Sequence, residues 1–294
     1  MRISLRQKER KDMSNKLLIV DGNNLLFQMF YGIPTKIYNK RGRTIHATLG
    51  FISALQKMVK AYEINRLVVV FDCDCSEERK EILDSYKANR EQNWAEMPQD
   101  EVPFFEEEYI FACLHYLGAC LLQSKDMEAD DVIASIALQE SEENQVYIAS
   151  FDSDFFQLIS DKISVIRYRG DQTKLVTKQR FEEEFGFSPT RYALYKSLTG
   201  DTADNIQGVP SIGKKRAADI VKNCEDVSVL IESDLSFLPC KARECVAASF
   251  ALIERNLSLI RLCKKEIEGY DARFDKEKMG LRNSQILSAC HVFD

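Results

Sequence analysis

Three short apolar segments of this sequence each lead into aspartate, and this pattern restricts the possible folds more than any other feature. They are LLIV at 17–20, LVVVF at 67–71 and VYIA at 146–149, followed by Asp21, by Asp72 and by the pair Asp152 and Asp154. Short, continuous apolar runs are typical of strands that are buried on both faces of a parallel sheet. Because ligands bind at the carboxyl ends of the strands in such sheets, we expect these aspartates to converge on one edge.

The residues around these runs predict the rest of the architecture. Apolar side chains recur at helical spacing from Ala47 to Tyr62, so this segment should form the helix of a right-handed β-α-β unit. From about Phe181 onward the pattern is helical, without further strand alternation. We therefore predict an α/β fold with a central, mostly parallel sheet and flanking helices, followed by a helical region. The predicted divisions are a polar tail at 1–15, an α/β core at 16–180 and a helical region at 181–294, with Met13 as an alternative start.

Length and composition exclude several classes of protein. A chain of 294 residues, 45% of them hydrophobic, can bury a large core. No apolar run approaches the ~20 residues of a membrane helix, and the polar N-terminus lacks the apolar centre of a secretory signal. Nine cysteines without CxxC spacing favour reduced thiols over a disulfide framework or a zinc site. We therefore expect a cytoplasmic protein without a membrane partner.

Two further segments add carboxylates to those at the strand ends. Glu128, Asp130 and Asp131 fall within four residues at the start of a predicted helix, and Asp201 and Asp204 lie three apart in TGDTADN. Each acid alone is explained as a helix cap or turn residue, and the helix dipole stabilises an acid in the first turn by ~0.3–1 kcal/mol. Packed together, however, two unit charges 4 Å apart repel by roughly 4 kcal/mol at an effective dielectric constant near 20. A bound cation would remove this repulsion.

The ligand chemistry indicates the kind of cation. Oxygen ligands without histidine or cysteine favour magnesium or manganese over zinc. Nine carboxylates exceed what one octahedral ion uses, so we predict two ions about 3.5–4 Å apart, an arrangement that catalyses in-line phosphoryl transfer. The predicted ligands are Asp21, Asp72, Glu128, Asp130, Asp131, Asp152, Asp154, Asp201 and Asp204, and we expect Asp130 and Asp154 to be essential for catalysis.

Two basic segments indicate that the phosphodiester belongs to a nucleic acid. The net charge of −6 argues against such a partner, but setting the nine predicted ligands aside leaves +3. Gly208–Ala217 is a glycine-bracketed turn that opens a basic helix and can present backbone N–H groups to a phosphate. Arg79–Arg90 carries four cations and an aromatic residue, suited to phosphate steering and base stacking. An ordinary surface helix and a solvated helix face are the alternative interpretations.

The order of the motifs DGNNL, VVFD, YKANR, EADD, SFDSD, TGDTADN and GVPSIGKK resembles one family. It is the bacterial 5′→3′ exonuclease and flap endonuclease family, which also forms the N-terminal domain of bacterial DNA polymerase I. The resemblance spans Leu17 to Val221. It implies a PIN-like 5′-nuclease core with a helical arch at about 76–108 and a helix-hairpin-helix-type DNA-binding motif at about 196–222.

The resemblance also implies roles for individual residues. Asp72, Glu128, Asp130 and Asp131 would hold the first ion, Asp152, Asp154, Asp201 and Asp204 the second, and Asp21 would lie between them mainly through waters. Lys87 matches the arch lysine that contacts the scissile phosphate, and Arg79 and Arg90 match its basic neighbours. Tyr86, beside Lys87, is an expected DNA contact. The hairpin residues expected to contact DNA are Gly208, Val209, Ser211, Ile212, Gly213, Lys214 and Lys215, and backbone carbonyls of this motif can hold potassium.

One position departs from the family pattern. The family usually has arginine seven residues after the first aspartate, where this chain has Gln28. The acidic stretch Glu106–Glu108 also predicts an arch of different shape. Every predicted metal ligand is nevertheless retained.

The predicted function is metal-dependent hydrolysis of DNA near a 5′ single-strand/duplex junction, as in primer removal, replication and repair. A chain of 294 residues has no room for a polymerase, so we expect a free-standing, monomeric nuclease of bacterial or phage type that works with a polymerase in trans. Two alternatives are an RNA-cleaving nuclease with a similar acidic site and a DNA-junction binding protein without turnover. The glycine hairpin argues against the first, and the complete carboxylate set argues against the second.

Overall fold

The computed structural model describes residues 15–72, 77–87, 96–124 and 127–294. The strands are β1 Lys16–Asp21, β2 Arg66–Phe71, β3 Cys120–Gln123, β4 Gln145–Ala149, β5 Ile163–Arg167, β6 Lys174–Val176, β7 Gly200–Asp201 and β8 Ile206–Gln207. The helices of the front half are α1 Gly22–Gly32, α2 His46–Ala61, α3 Glu77–Ile82, α4 Glu107–Tyr116 and α5 Ala129–Glu140. Those of the back half are α6 Lys178–Phe185, α7 Tyr192–Thr199, α8 Lys214–Asn223, α9 Val227–Glu232, α10 Cys240–Ala247, α11 Phe250–Ile260, α12 Lys276–Met279 and α13 Asn283–Ala289. Among these residues no helix is both long and apolar enough to cross a membrane.

Within the described residues, six strands form one sheet in the order β3-β2-β1-β4-β5-β6. Strands β1 to β5 are parallel, and β6 pairs antiparallel with β5. The predicted strands at 17–20, 67–71 and 146–149 are confirmed as β1, β2 and β4. From β1 the chain adds β2 and β3 on one side of the sheet and then β4 to β6 on the other. Such a reversal of direction leaves a crevice between β1 and β4 at the carboxyl edge of the sheet.

Both faces of the sheet are covered, which explains why its central strands are apolar on both sides. Side chains alternate along β1 and so face two cores. Ile19 faces the first core, which is shared with α5, α7, α8, α10 and α11. Leu18 faces the second core, which is shared with α1, α2 and α4. The predicted α/β architecture with flanking helices is therefore confirmed. The first core also crosses the boundary predicted at residue 180, since Ile133 of α5 and Ile220 of α8 belong to it together.

The end of the chain returns to the front half. Gln56 of α2 donates from Nε2 to the backbone carbonyls of Met279 and Leu281, both at 2.7 Å. The backbone N–H of Leu67 donates to the carbonyl of Ala272 at 2.7 Å. Helix α13 packs against α2 and α4. The last residues thus complete the second core.

A short hairpin interrupts the helical back half, which the sequence pattern did not predict. Strands β7 and β8 pair antiparallel, with Gly200 opposite Gln207 and Asp201 opposite Ile206. This hairpin carries TGDTADN in its turn and leads directly into GVPSIGKK. Two motifs that are separate in sequence therefore form one structural unit.

Candidate active site

Asp21 lies at the crevice, where β1 ends. Its Oδ1 accepts from the backbone N–H of Asn24 at 3.1 Å, which caps α1, and its Oδ2 accepts from Oγ of Ser150 at 2.8 Å. Burial raises the pKa of Asp21 to about 6. These hydrogen bonds oppose the rise in pKa, and the carboxylates of Asp152 and Asp72 add to it. Acids from three strand ends thus interact electrostatically, as the sequence predicted.

Two asparagines fix the relative positions of these strand ends. Oδ1 of Asn23 accepts from the backbone N–H of Asp72 at 2.7 Å, and Oδ1 of Asn24 accepts from that of Phe151 at 3.0 Å. Ser124, at the end of β3, donates from Oγ to Oδ1 of Asp72 at 3.3 Å. Sequence reasoning missed these residues, although the two asparagines follow Asp21 after a single glycine in DGNN.

The acids at the start of α5 are neutralised by cations from the segment at 77–87. Arg79 donates to Glu128 and, at 3.0 Å, to Oδ1 of Asp131. Nζ of Lys87 lies 3.1 Å from Oε1 of Glu128. Burial lowers the pKa of Arg79, but the carboxylates outweigh it, so this pKa lies above its usual value. Burial also raises the pKa of Asp130 well above its usual value, with the carboxylates of Asp152 and Asp21 adding to the effect.

The remaining acids meet beside the β7–β8 hairpin. Asp154, Asp201 and Asp204 each offer a carboxylate oxygen, and these oxygens lie within 4.8 Å of one another. Across the residues that the structure describes, no other three potential ligand side chains converge this closely. Asp152 lies beside them and accepts on Oδ1 from the backbone N–H of Asp154 at 2.9 Å. Three of the four ligands predicted for the second ion are therefore grouped.

Lys196 of α7 lies among these acids and donates to both Asp154 and Asp201. Burial raises the pKa of Asp154 to about 7, with Asp152 adding to the effect and Lys196 opposing it. Burial also acts to raise the pKa of Asp201. Attraction to Lys196 and hydrogen bonds to the Asp201 carboxylate outweigh burial, so this pKa lies below its usual value. The sequence signal for Lys196 is a lone cation in the otherwise buried helix YALYKSLT, and sequence reasoning missed it.

Two glycines join the acidic hairpin turn to the predicted DNA-binding motif. A Cβ added at Gly208 would lie 2.3 Å from the carbonyl oxygen of Thr199, and one added at Gly200 would lie 2.4 Å from the backbone nitrogen of Gly208. The backbones at 200 and 208 are therefore too close for any other residue type. This contact holds the acidic hairpin against the first residue of GVPSIGKK.

The predicted DNA-binding motif ends in an exposed helix N-terminus. Ser211 adopts a left-handed conformation, with φ of 64°, and Gly213 precedes the first residue of α8. Lys214 and Lys215 are exposed. The side chains of Val209 and Ile212 are buried, so the motif can offer only their backbone groups to a ligand.

The structure places the predicted arch residues as follows. Tyr86 is only 2% exposed and packs with Ile206 and Leu259, so its predicted stacking on a base would require the ring to leave this contact. Arg90 lies outside the described residues. Gln28, at the position where the family usually has arginine, donates from Nε2 to the backbone carbonyl of Tyr168.

The carboxylates fit divalent cations. The donors are all oxygen atoms, which suits hard ions such as magnesium. Oε1 of Glu128 is buried without a hydrogen bond, although Lys87 is near it. Burial raises the pKa values of Asp21, Asp130 and Asp154, and the crowded carboxylates around them raise these values further. A cation bound among these oxygens would relieve that crowding.

Comparison with known proteins identifies the family. Residues 16–186 match the model of the family described as "5′-3′ exonuclease, N-terminal resolvase-like domain". This chain is a member of that family. It is 32% identical over 248 residues to the thermostable DNA polymerase I of Thermus filiformis. The alignment covers 84% of this chain but only 28% of the polymerase, so the chain spans just over a quarter of that relative's length.

Solved structures agree with this family membership. The flap endonuclease of bacteriophage T5, in a pseudo-enzyme-product complex with DNA and metal ions, matches with a TM-score of 0.69 and 27% identity. That match covers 84% of this chain and 89% of the T5 chain. The catalytic core of Rad2 in complex with DNA matches in fold, with a TM-score of 0.61, 16% identity, and coverage of 95% of this chain and 93% of that one. This member of the 5′-3′ exonuclease family thus has a PIN-like 5′-nuclease fold.

Proposed function

We propose that this protein is a two-metal 5′→3′ exonuclease and 5′-flap endonuclease that hydrolyses DNA phosphodiesters, in primer removal, replication and repair. The observation that carries the proposal is the set of acids around the crevice, which places the Asp154, Asp201 and Asp204 oxygens within 4.8 Å of one another. Family membership and the T5 flap endonuclease with DNA and metal ions support the same activity.

Magnesium is the proposed ion, with manganese as a substitute, because all the donors are carboxylates. Two bound ions would supply an activated water and stabilise the leaving oxygen. Asp72, Glu128, Asp130 and Asp131 would hold one ion, Asp152, Asp154, Asp201 and Asp204 the other, and Asp21 would act on both through waters.

The chain's own cations have two roles in this proposal. Without ions, Arg79 and Lys87 neutralise Glu128 and Asp131, and Lys196 neutralises Asp154 and Asp201. Binding of ions to the same carboxylates would weaken these contacts, because a divalent ion competes with an ammonium or guanidinium group for the oxygens. Arg79 and Lys87 would then be available to a phosphate of the substrate. Arg90 would add to them.

Recognition of the duplex is assigned to Gly208–Lys215. The N-terminus of α8 presents backbone N–H groups beside Lys214 and Lys215, an arrangement that binds phosphate without reading sequence. Carbonyls of the same turn would hold a potassium ion between protein and phosphate. The fixed contact between Gly200 and Gly208 would then set the distance from the bound duplex to the cleaved bond.

The decisive experiment uses a DNA duplex with a 5′ flap, labelled at either end. We expect magnesium-dependent cleavage near the junction that yields 5′-phosphate and 3′-hydroxyl ends, abolished by EDTA and by Asp130→Ala or Asp154→Ala. Asp161→Asn is the matched control, since its side chain is 85% exposed and pairs only with a surface lysine among the described residues. Equal cleavage by the wild type, the two alanine variants and the EDTA-treated sample would refute the proposal.

The same substrates separate the alternatives. An RNA-cleaving nuclease would prefer a matched RNA flap, and a junction-binding protein would retain the DNA without a magnesium-dependent product. Size-exclusion chromatography tests the proposed monomer. Stimulation of cleavage by an added DNA polymerase tests the proposed cooperation in trans.

A further inference from the structure

Helix α11 and the residues after it are linked to both groups of acids, to one directly and to the other through Gln157, although they lie outside the seven motifs. Nε2 of Gln157 donates to the carbonyls of Asp154 at 2.9 Å and Ile260 at 3.1 Å. The backbone N–H of Cys263 donates to Oδ1 of Asp131 at 2.8 Å. The stretch from 256 to 263 is thus hydrogen-bonded to Asp131 directly and joined to Asp154 through Gln157.

Asn256 makes the most specific of these contacts. Its side chain is completely buried, and Nδ2 donates to the carbonyl of Ser197 at 3.0 Å and to that of Gln207 at 2.7 Å. Ser197 follows Lys196 on α7, and Gln207 is the last residue of β8, directly before Gly208. A single amide group therefore joins the helix before the acidic turn to the strand after it.

The chemistry of the contact requires an amide. The NH₂ group has two N–H donors, and each meets one carbonyl oxygen. Its own Oδ1 accepts from Nη2 of Arg255 at 3.2 Å. An aspartate at 256 would place an oxygen against two oxygens, and a leucine would leave two buried carbonyls without this donor, which is unfavourable. The two hydrogen bonds thus add to the packing of α11 against α7.

We propose that Asn256 is a positioning residue for the proposed nuclease reaction. Its amide holds Ser197 and Gln207 at a fixed separation. This separation sets how closely Asp201 and Asp204 approach Asp154. It also sets the position of Gly208. The inference rests on the proposed function, because the geometry that Asn256 controls is that of one ion site and of the DNA-binding turn. Asn256 itself touches neither ion nor substrate.

The test compares Asn256→Leu and Asn256→Asp with Ile253→Ala in the full chain. Ile253 is fully buried one turn earlier on the same helix and packs only in the apolar core, so its truncation measures the effect of lost packing alone. Manganese binding without DNA is followed by the electron paramagnetic resonance of the free ion, well below every variant's unfolding midpoint. Hydrogen exchange is measured at the amide of Val209, which donates to the carbonyl of Leu198 at 2.8 Å.

We expect both Asn256 variants to weaken binding of one of two manganese ions by about tenfold, as loss of groups that orient metal ligands typically does. The other ion should bind as in the wild type. The Val209 amide should exchange faster even without metal, and kcat on flap DNA should fall. Ile253→Ala should lower the unfolding midpoint while leaving ion affinities and Val209 exchange unchanged.

Two results would overturn the inference. One is wild-type ion binding and Val209 exchange in both Asn256 variants, and the other is equal losses in Ile253→Ala. Failure of the proposed function gives a different result, because the wild type itself would then show no magnesium-dependent cleavage.

Discussion

Replacing Lys196 with methionine removes the cation that pairs with Asp154 and Asp201 beside the β7–β8 hairpin. Methionine keeps most of the apolar stem of lysine and deletes its charge. The side chain of Lys196 is 8% exposed, and those of its partners Asp154 and Asp201 are 12% and 15% exposed. Solvent therefore screens this group little.

The expected magnitude follows from the geometry. At the upper limit of 4.8 Å between their oxygens, two ionised carboxylates repel by about 3.5 kcal/mol at an effective dielectric constant of 20. Removing one partner from a buried ion pair typically destabilises a protein by about 3–5 kcal/mol. In EDTA, Lys196→Met should therefore lower the unfolding midpoint by roughly 10 °C for a chain of this size.

Magnesium should reverse much of this loss. An ion at 100 times its Kd stabilises the folded state by about 2.7 kcal/mol, and in the variant the ion no longer competes with an ammonium group. We therefore expect the metal-dependent rise in midpoint to be larger for Lys196→Met than for the wild type. Thermal unfolding followed by circular dichroism, with EDTA and with increasing magnesium, measures both quantities.

Lys178→Met is the matched control. Lys178 pairs with Asp161 at 3.3 Å on the surface, where its side chain is 41% exposed, so its loss should change stability by less than about 1 kcal/mol. If magnesium stabilises Lys196→Met no more than the wild type, then Lys196 does not occupy the position of an ion and the reasoning fails.

Two further predictions concern the hairpin and pH. Gly208→Ala should weaken duplex binding and lower the unfolding midpoint, because its Cβ would lie 2.3 Å from the carbonyl oxygen of Thr199. Gly213→Ala is the control and should keep the wild-type midpoint, since within the described chain nothing lies within 4 Å of its added Cβ. Equal midpoints for the two variants would contradict this. The pKa values of Asp21 and Asp154 are raised to about 6 and about 7, so the folded state binds more protons than the unfolded state between about pH 4 and 7. In EDTA, the free energy of unfolding should therefore fall as the pH rises through that interval. Urea unfolding at pH 5 and pH 7.5 checks the sign, and a rise in stability between them would refute it.

The parts of the site that sequence could predict are those encoded by local patterns. Asp21 and Asp72 were found because each follows a short apolar run, and a parallel sheet brings such strand ends together. The edge strands were not found. Cys120–Gln123 and Lys174–Val176 are short and only partly buried, so their composition differs little from that of loops.

Groups that act across long sequence separations could not be predicted in this way. Lys196 lies 42 residues from Asp154, and Asn256 lies 49 residues from Gln207. Lys196 is the only charged residue of α7, and Asn256 is one of several polar residues of α11, so the local sequence shows only that each is polar. Which acid or carbonyl it meets depends on how α7 and α11 pack, and helix packing is not encoded in any short motif.

The return of the chain end to the front half has a consequence for biosynthesis. Ile286 and Leu287 are fully buried in the core that contains Phe51 and Leu114, yet they are synthesised long after both of those residues. Until they leave the ribosome, an apolar face of α2 and α4 remains in contact with water, and exposed faces of this kind favour aggregation and chaperone binding. Every acid of the proposed active site is synthesised well before that face is covered, so the nascent chain would carry a complete catalytic set on an unfinished fold.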